Sequence, residues 1–181
     1  DNVSLAVRAN GTANFTDNGS VVTNHASLTT PPQIASSGDG VYVFLGAGDA
    51  VTVYNVRDNG TTTALIGVTV TDANTWCSTS TGTANSYAVL VSMGHADATM
   101  IDVDAVYDNG TTTRMSTGVA LGTTHGDQCA ITHLNGTFYL AVLDGGASPD
   151  NVSVYKSDNL TGWDQIGIDF ALDGVGAGIA I

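Results

Sequence analysis

Asp58-Asn59-Gly60-Thr61-Thr62-Thr63 recurs, residue for residue, as Asp108-Asn109-Gly110-Thr111-Thr112-Thr113. The offset is 50 residues, and a further 50 lands on Asp158-Asn159-Leu160-Thr161. Markers at equal spacing indicate a repeat architecture, in which each unit is a supersecondary element that buries its apolar surface only against its neighbours. Asn-Gly between β-prone flanks is also a strong short-range signal for a tight hairpin, in two-residue type I′ or bulged form. The marker therefore sets the period and places one turn within it.

Around each marker the units align as four short segments, a to d. Segment a reads Gln33-Ile34-Ala35-Ser36, then Trp76-Cys77-Ser78-Thr79, then Gln128-Cys129-Ala130-Ile131. Segment b covers 40–45, 86–91 and 137–142, and segment c covers 50–54, 101–107 and 151–155. The marker joins c to d, and d ends near Gly67, Gly118 and Gly167. Segments a and b are nearly continuous apolar or small runs, which suits inner strands covered on both faces. Segment c alternates, as in Val51-Thr52-Val53, which suits a half-buried outer strand. Four antiparallel strands in about 50 residues is the period of a β-propeller blade. The expected fold is all-β and propeller-like, with about 3.5–4 blades in a single domain. Its divisions are a partial repeat 1–32, repeats 33–75, 76–127 and 128–177, and a final strand 178–181.

Composition agrees. The chain has 181 residues and only 12% charged side chains, against roughly 25% in ordinary globular domains. Glu is absent and Lys and Gln are scarce, so strong helix formers are missing while Thr, Val, Gly, Asn and Asp abound. The net charge is −13, with Arg8, Arg57, Arg114 and Lys156 as the cations. Four cations cannot neutralise a phosphate track, so no nucleic-acid partner is expected, and an anionic membrane surface is equally unsuited. No apolar run approaches the length of a bilayer span, so no membrane insertion is expected. Asp1 reads as a processed or trimmed start, upstream of which a secretion signal would lie.

Nine Asn-x-Ser/Thr sequons occur, at Asn2, Asn10, Asn14, Asn18, Asn59, Asn109, Asn135, Asn151 and Asn159. Turn chemistry alone accounts for the Asn-Gly-Thr cases at Asn59, Asn109 and Asn135, but not for Asn2, Asn14, Asn151 or Asn159. Several are therefore expected to carry N-linked glycan, which implies an extracellular or cell-surface location. Cys77 and Cys129 occupy the same column of segment a. A secreted chain favours a disulfide between them, whereas the usual distance between equivalent strands and the apolar column mates Ile34 and Ile179 favour two buried thiols, which is the slightly stronger expectation.

The stretch Val154-Tyr155-Lys156-Ser157-Asp158-Asn159-Leu160-Thr161-Gly162-Trp163, followed by Ile166-Gly167, resembles the c–d turn of five-bladed propellers of the furanosidase/arabinanase type, Ser-x-Asp-Leu-x-x-Trp. It also resembles the Asp-box turn of sialidase-like propellers. Asn159 stands where those turns carry Asp. The resemblance covers about 14 residues and implies a structural turn with a Trp packed between blades. It carries no catalytic residue across. The furanosidase-type acid is a Glu, which this chain lacks, and Arg8, Arg57 and Arg114 fall in or beside c–d turns, on the wrong edge for a sialidase-like pocket.

Other chemistry-bearing residues point to binding. The d-to-a loops carry Asp72, Asn74 and Trp76 in one unit and His125 and Asp127, with Gln128, in the next. Trp beside polar side chains suits a sugar ring, with turn capping by the Asp residues and inter-blade packing of Trp76 as the alternative. Asp97, Asp102 and Asp104 would suit calcium or form a solvated acidic face. The four histidines lack metal-ligand spacing, so no metal and no cofactor is expected.

The ends are out of phase: 1–5 match segment c and 178–181 match segment a. The chain is then expected to pair with copies of itself through open edges within 1–30 and 175–181, unless its ends close on each other. These observations favour a non-catalytic extracellular structural or assembly protein, a glycosylated filament or surface-layer subunit. A lectin-like carbohydrate-binding propeller is the alternative, and a glycoside hydrolase with an all-Asp site is the second.

Overall fold

A computed structural model describes residues 3–7, 16–22, 28, 30–38, 40–47, 50–57, 61–69, 76–81, 86–93, 99–109, 111–121, 128–144, 151–167 and 170–171. Every regular element among them is a strand, and no helix among them is long and apolar enough to cross a membrane. Strands β1 (Val3–Val7) and β2 (Thr16–Val22) form an antiparallel pair. The first full sheet holds β3 (Gln33–Ser37), β4 (Gly40–Ala47), β5 (Ala50–Arg57) and β6 (Thr62–Thr69). The second holds β7 (Trp76–Ser80), β8 (Tyr87–Met93), β9 (Met100–Tyr107) and β10 (Thr112–Ala120). The third holds β11 (Cys129–Leu134), β12 (Thr137–Asp144) and β13 (Asn151–Ser157), with β14 (Asp164–Gln165) and β15 (Phe170–Ala171) both paired to β13. Each sheet is an antiparallel meander in chain order.

The sheets stack through alternate faces of their strands. Successive side chains of a strand point to opposite faces. On the second sheet, Ala88, Leu90 and Val106 meet Tyr42, Phe44, Val51 and Val53 of the first sheet. From its opposite face, Val89, Val91, Ile101 and Val103 meet Ile131, Phe138, Leu140, Val142 and Tyr155 of the third. Strand β7 lies beside both β3 and β11. These contacts are not ladder pairings, since the three sheets share no hydrogen-bonded strand.

This sandwiching corrects the burial expected of the strands. Strand β9, expected to be half-exposed, is buried at six consecutive positions because the second sheet is covered on both faces. Segment a, expected to be covered throughout, is buried along most of β7, whereas β3 alternates and leaves Ile34 62% exposed. Among the described residues, only β7 of the first strands has a neighbouring sheet on each side, so burial follows position in the stack and not the segment's letter.

Two turn chemistries separate cleanly. The Arg57 N–H donates to Thr61 O and the Tyr107 N–H to Thr111 O, both at 2.9 Å. Three residues lie between each pair, so the repeated Asp-Asn-Gly marker closes a longer hairpin than the two-residue type. The two-residue type I′ form appears instead at Asn135-Gly136, where φ is 51° and 86°, joining β11 to β12. The closing segment 178–181 lies outside the described residues, as do the loop residues 70–75 and 122–127.

Candidate functional site

The exposed asparagine turns carry the most developed polar geometry. Thr111 donates from its N–H at 2.9 Å and its hydroxyl at 2.7 Å to Asn109 Oδ1. Thr161 donates to Asn159 Oδ1 in the same way, at 3.0 and 2.8 Å. Asx side chains hold turns by accepting the N–H two residues on. Here the sequon hydroxyl adds a second bond. Both asparagines are exposed. The turn uses only the carbonyl oxygen, which an aspartate would supply equally well; the amide nitrogen is surplus to it.

Each turn is anchored. Asp108 Oδ1, next to Asn109, accepts from the Tyr42 hydroxyl at 2.5 Å and Asn55 Nδ2 at 3.1 Å, both from the first sheet. Ser86 O lies 2.9 Å from the same buried Tyr42 hydroxyl and shares its single proton, so the second sheet's c–d turn is braced across the inter-sheet seam. In the third sheet Thr137 Oγ1 donates to Asp158 Oδ1 at 2.7 Å, and the Leu160 N–H donates to Ser157 Oγ at 2.9 Å. Leu160 has φ 65°, a conformation that costs a branched L-residue about 1 kcal/mol or more. Its fully buried side chain joins the core between the second and third sheets, and that burial offsets the strain. Trp163 packs partly against the same core. The turn, with its neighbours Lys156, Ser157, Asp158, Asn159, Thr161, Gly162, Trp163 and Asp164, encloses a polar cleft of about 460 Å³.

The other sequons differ. Asn135 is exposed on its type I′ turn. Asn151 begins β13 opposite Asp144 and Ala171, and its sequon hydroxyl residue Ser153 is 1% exposed. Asn18 lies in β2. Asn2, Asn10, Asn14 and Asn59 lie outside the described residues.

The sugar-binding constellation expected on the d-to-a loops is not assembled by what is described. Asp72, Asn74, His125 and Asp127 lie outside the described residues. Trp76 is only 5% exposed. Its ring stands 6.3 Å from Phe44, centroid to centroid, and its Nε1 donates to Thr30 Oγ1 at 3.1 Å. A Cβ at Gly46 would stand 2.9 Å from that nitrogen, so the indole fills the space glycine leaves. With both faces inside the protein, Trp76 is a packing residue and not a platform for a sugar ring.

The acidic pair also differs from expectation. Asp102 and Asp104 are buried, at 1% and 3% exposure, and not a solvated face. Arg114 Nη1 donates to Asp102 Oδ2 at 2.5 Å and its Nε to Asp104 Oδ1 at 2.6 Å. The Gly118 N–H donates to Asp102 Oδ1 at 2.9 Å, where bulges shift the β9–β10 register. The guanidinium occupies the position a calcium ion would need. Asp104 Oδ2 is buried without a partner. Burial raises the Asp104 carboxyl above the usual carboxylate range, and nearby Asp102 adds to this while Arg114 opposes it. Among the described residues, no three His, Cys or acidic side chains group as a metal site.

The first strands are tied together. Cys77 and Cys129 are bonded between β7 and β11, with Cα atoms 5.6 Å apart, inside the range that accommodates a disulfide. On the other side of β7, the Gln33 carboxamide accepts from the Ser78 N–H at 3.0 Å and donates to Trp76 O at 3.3 Å. It thereby occupies edge groups of β7 that a strand would otherwise pair. Ser80 Oγ donates to Ser36 O nearby. The column shared by the cysteines was visible in the repeat; the role of Gln33 was not, since two of its three partners, the Ser78 N–H and Trp76 O, are main-chain atoms and the third is the Ser78 hydroxyl.

Searched against models of protein families and against curated proteins, the chain matches none significantly.

Proposed function

We propose that this chain is a non-catalytic subunit of an extracellular structural assembly, a filament or surface layer, presenting N-linked glycans from the c–d turns of a propeller-like stack. The observation that carries the reading is the paired geometry of Asn109 and Asn159. Both are exposed, both are fixed by the hydroxyl and N–H of their own sequon threonine, and neither turn needs the amide nitrogen that a glycan would occupy.

Other features support it. A disulfide suits an oxidising compartment. The inter-sheet ties through Cys77–Cys129, Gln33 and Asp108 make the stack stiff, which suits a structural part. The adjacency of first strands β3, β7 and β11 supports a propeller-like arrangement of the sheets, in which β1 and β2 would supply the outer half of a further blade. Self-association through the edges of 1–30 and 175–181 would join subunits. Burial of Trp76 removes the main support of the lectin-like reading, and the ion pairing of Asp102 and Asp104 gives no support to an all-Asp hydrolase.

Electron microscopy of the native particle tests the proposal. Polymers or ordered sheets with a peripheral glycan coat are expected; uncoated monomers at neutral pH would overturn it.

A further inference from the structure

The cleft beside Asn159 has no assigned occupant, and the acceptor is part of its wall. We infer that the cleft is the seat of the glycan attached to Asn159 itself, with the sugars nearest the asparagine folded back over Trp163. This rests on the reading of the chain as a glycoprotein and goes beyond it, by making one glycan part of the folded structure.

The lining suits a sugar. Its volume of about 460 Å³ falls in the range of small-molecule sites, roughly 300–1,000 Å³. Lys156 and Asp164 stand opposite each other across β13 and β14, and Asp158 and Asp164 are exposed. They supply an ammonium donor and carboxylate acceptors for hydroxyl groups. Trp163 Nε1 is buried and unpartnered, so the part of the half-buried indole that lines the cleft is ring carbon. A carbon surface beside charged groups matches the apolar face and hydroxyl rim of a pyranose. Covalent attachment would hold the sugar at high effective concentration, so weak contacts suffice.

Asn109 is an internal control. Its turn repeats the acceptor geometry, but 50 residues before Trp163, Asp164 and Lys156 stand Thr113, Arg114 and Val106. No indole, and neither member of the Lys–Asp pair, accompanies Asn109. Both glycans would be attached, and only that on Asn159 would pack.

Acrylamide quenching of tryptophan fluorescence in the native glycoprotein tests this, since Trp76 is buried and the response reports Trp163. Enzymatic release of N-glycans, which leaves Asp at the acceptor, and the Asn159→Asp variant should each raise the quenching constant roughly twofold. Asn109→Asp should leave it unchanged. Peptide mass mapping runs alongside. Glycan present on Asn159 with no change in quenching on its removal overturns the inference and leaves the glycoprotein reading intact. So does a bare Asn159 with other sequons occupied. A chain bare at every sequon overturns both.

Discussion

At the scale of single residues, the turns divide what the fold needs from what it does not. Asn159→Asp keeps Oδ1, so in the unglycosylated protein its stability should lie within about 0.5 kcal/mol of the parent. Asn159→Ala loses both bonds from Thr161 and should cost about 1–2 kcal/mol; urea denaturation distinguishes the two. Asp104 gives a second test. Its carboxyl binds a proton more readily in the folded chain than in the unfolded one, because burial dominates over the Arg114 attraction. A raised folded pKa contributes stability that is fully present below the unfolded pKa and is lost as pH rises through the folded one. The parent's unfolding free energy should therefore contain a component that falls over that window. Asp104→Asn should lack it, and equal pH slopes for the two proteins would contradict the account. The turn at Asn109 was legible in the sequence because its repeat announced it. The Asp102–Arg114–Asp104 group was not, because the bulges that bring Arg114 level with both carboxylates leave no pattern in residue type.

At the scale of elements, strand identity and order followed from the marker turn and the alternation of Val with Thr. Burial did not, because it depends on which sheet has two neighbours. Nothing in Met100–Tyr107 distinguishes it from Ala50–Arg57 as an outer strand; the burial of its six central residues comes from the sheets packed on both sides. Sugar stacking by Trp76 was suggested by its place beside polar loop residues, with inter-blade packing as the competing reading. The indole is buried because Gly46, thirty residues away in sequence, opens the space into which it fits. Trp76→Ala should therefore cost about 3–5 kcal/mol by thermal or urea denaturation, a loss that an exposed sugar platform would not show. The cysteine bridge closes a separation of 52 residues, for which loop-closure entropy gives about 4 kcal/mol. Cys77→Ser with Cys129→Ser should lower the melting temperature by roughly 10 °C. No shift would mean that the β7–β11 contact stands without its covalent link.

At the scale of the whole molecule, two properties legible separately in the sequence meet, a repeat and an unusual density of sequons. The stack explains how they combine. The c–d turns of the second and third sheets carry the exposed Asn109 and Asn159 at 50-residue spacing, while the apolar faces are buried against neighbouring sheets. Self-association through the terminal segments remains a prediction for the assembled particle, in which truncation of 175–181 should abolish polymers seen by electron microscopy and leave the three central sheets folded. The central claim is that the exposed asparagine turns are glycan acceptors on an extracellular protein. Peptide-resolved mass mapping of the chain from its native source tests it most directly. The account predicts glycan on Asn109 and Asn159, and none on Asn151, whose Ser153 is buried in the third sheet; peptides covering Asn109 and Asn159 at their bare polypeptide masses would contradict it.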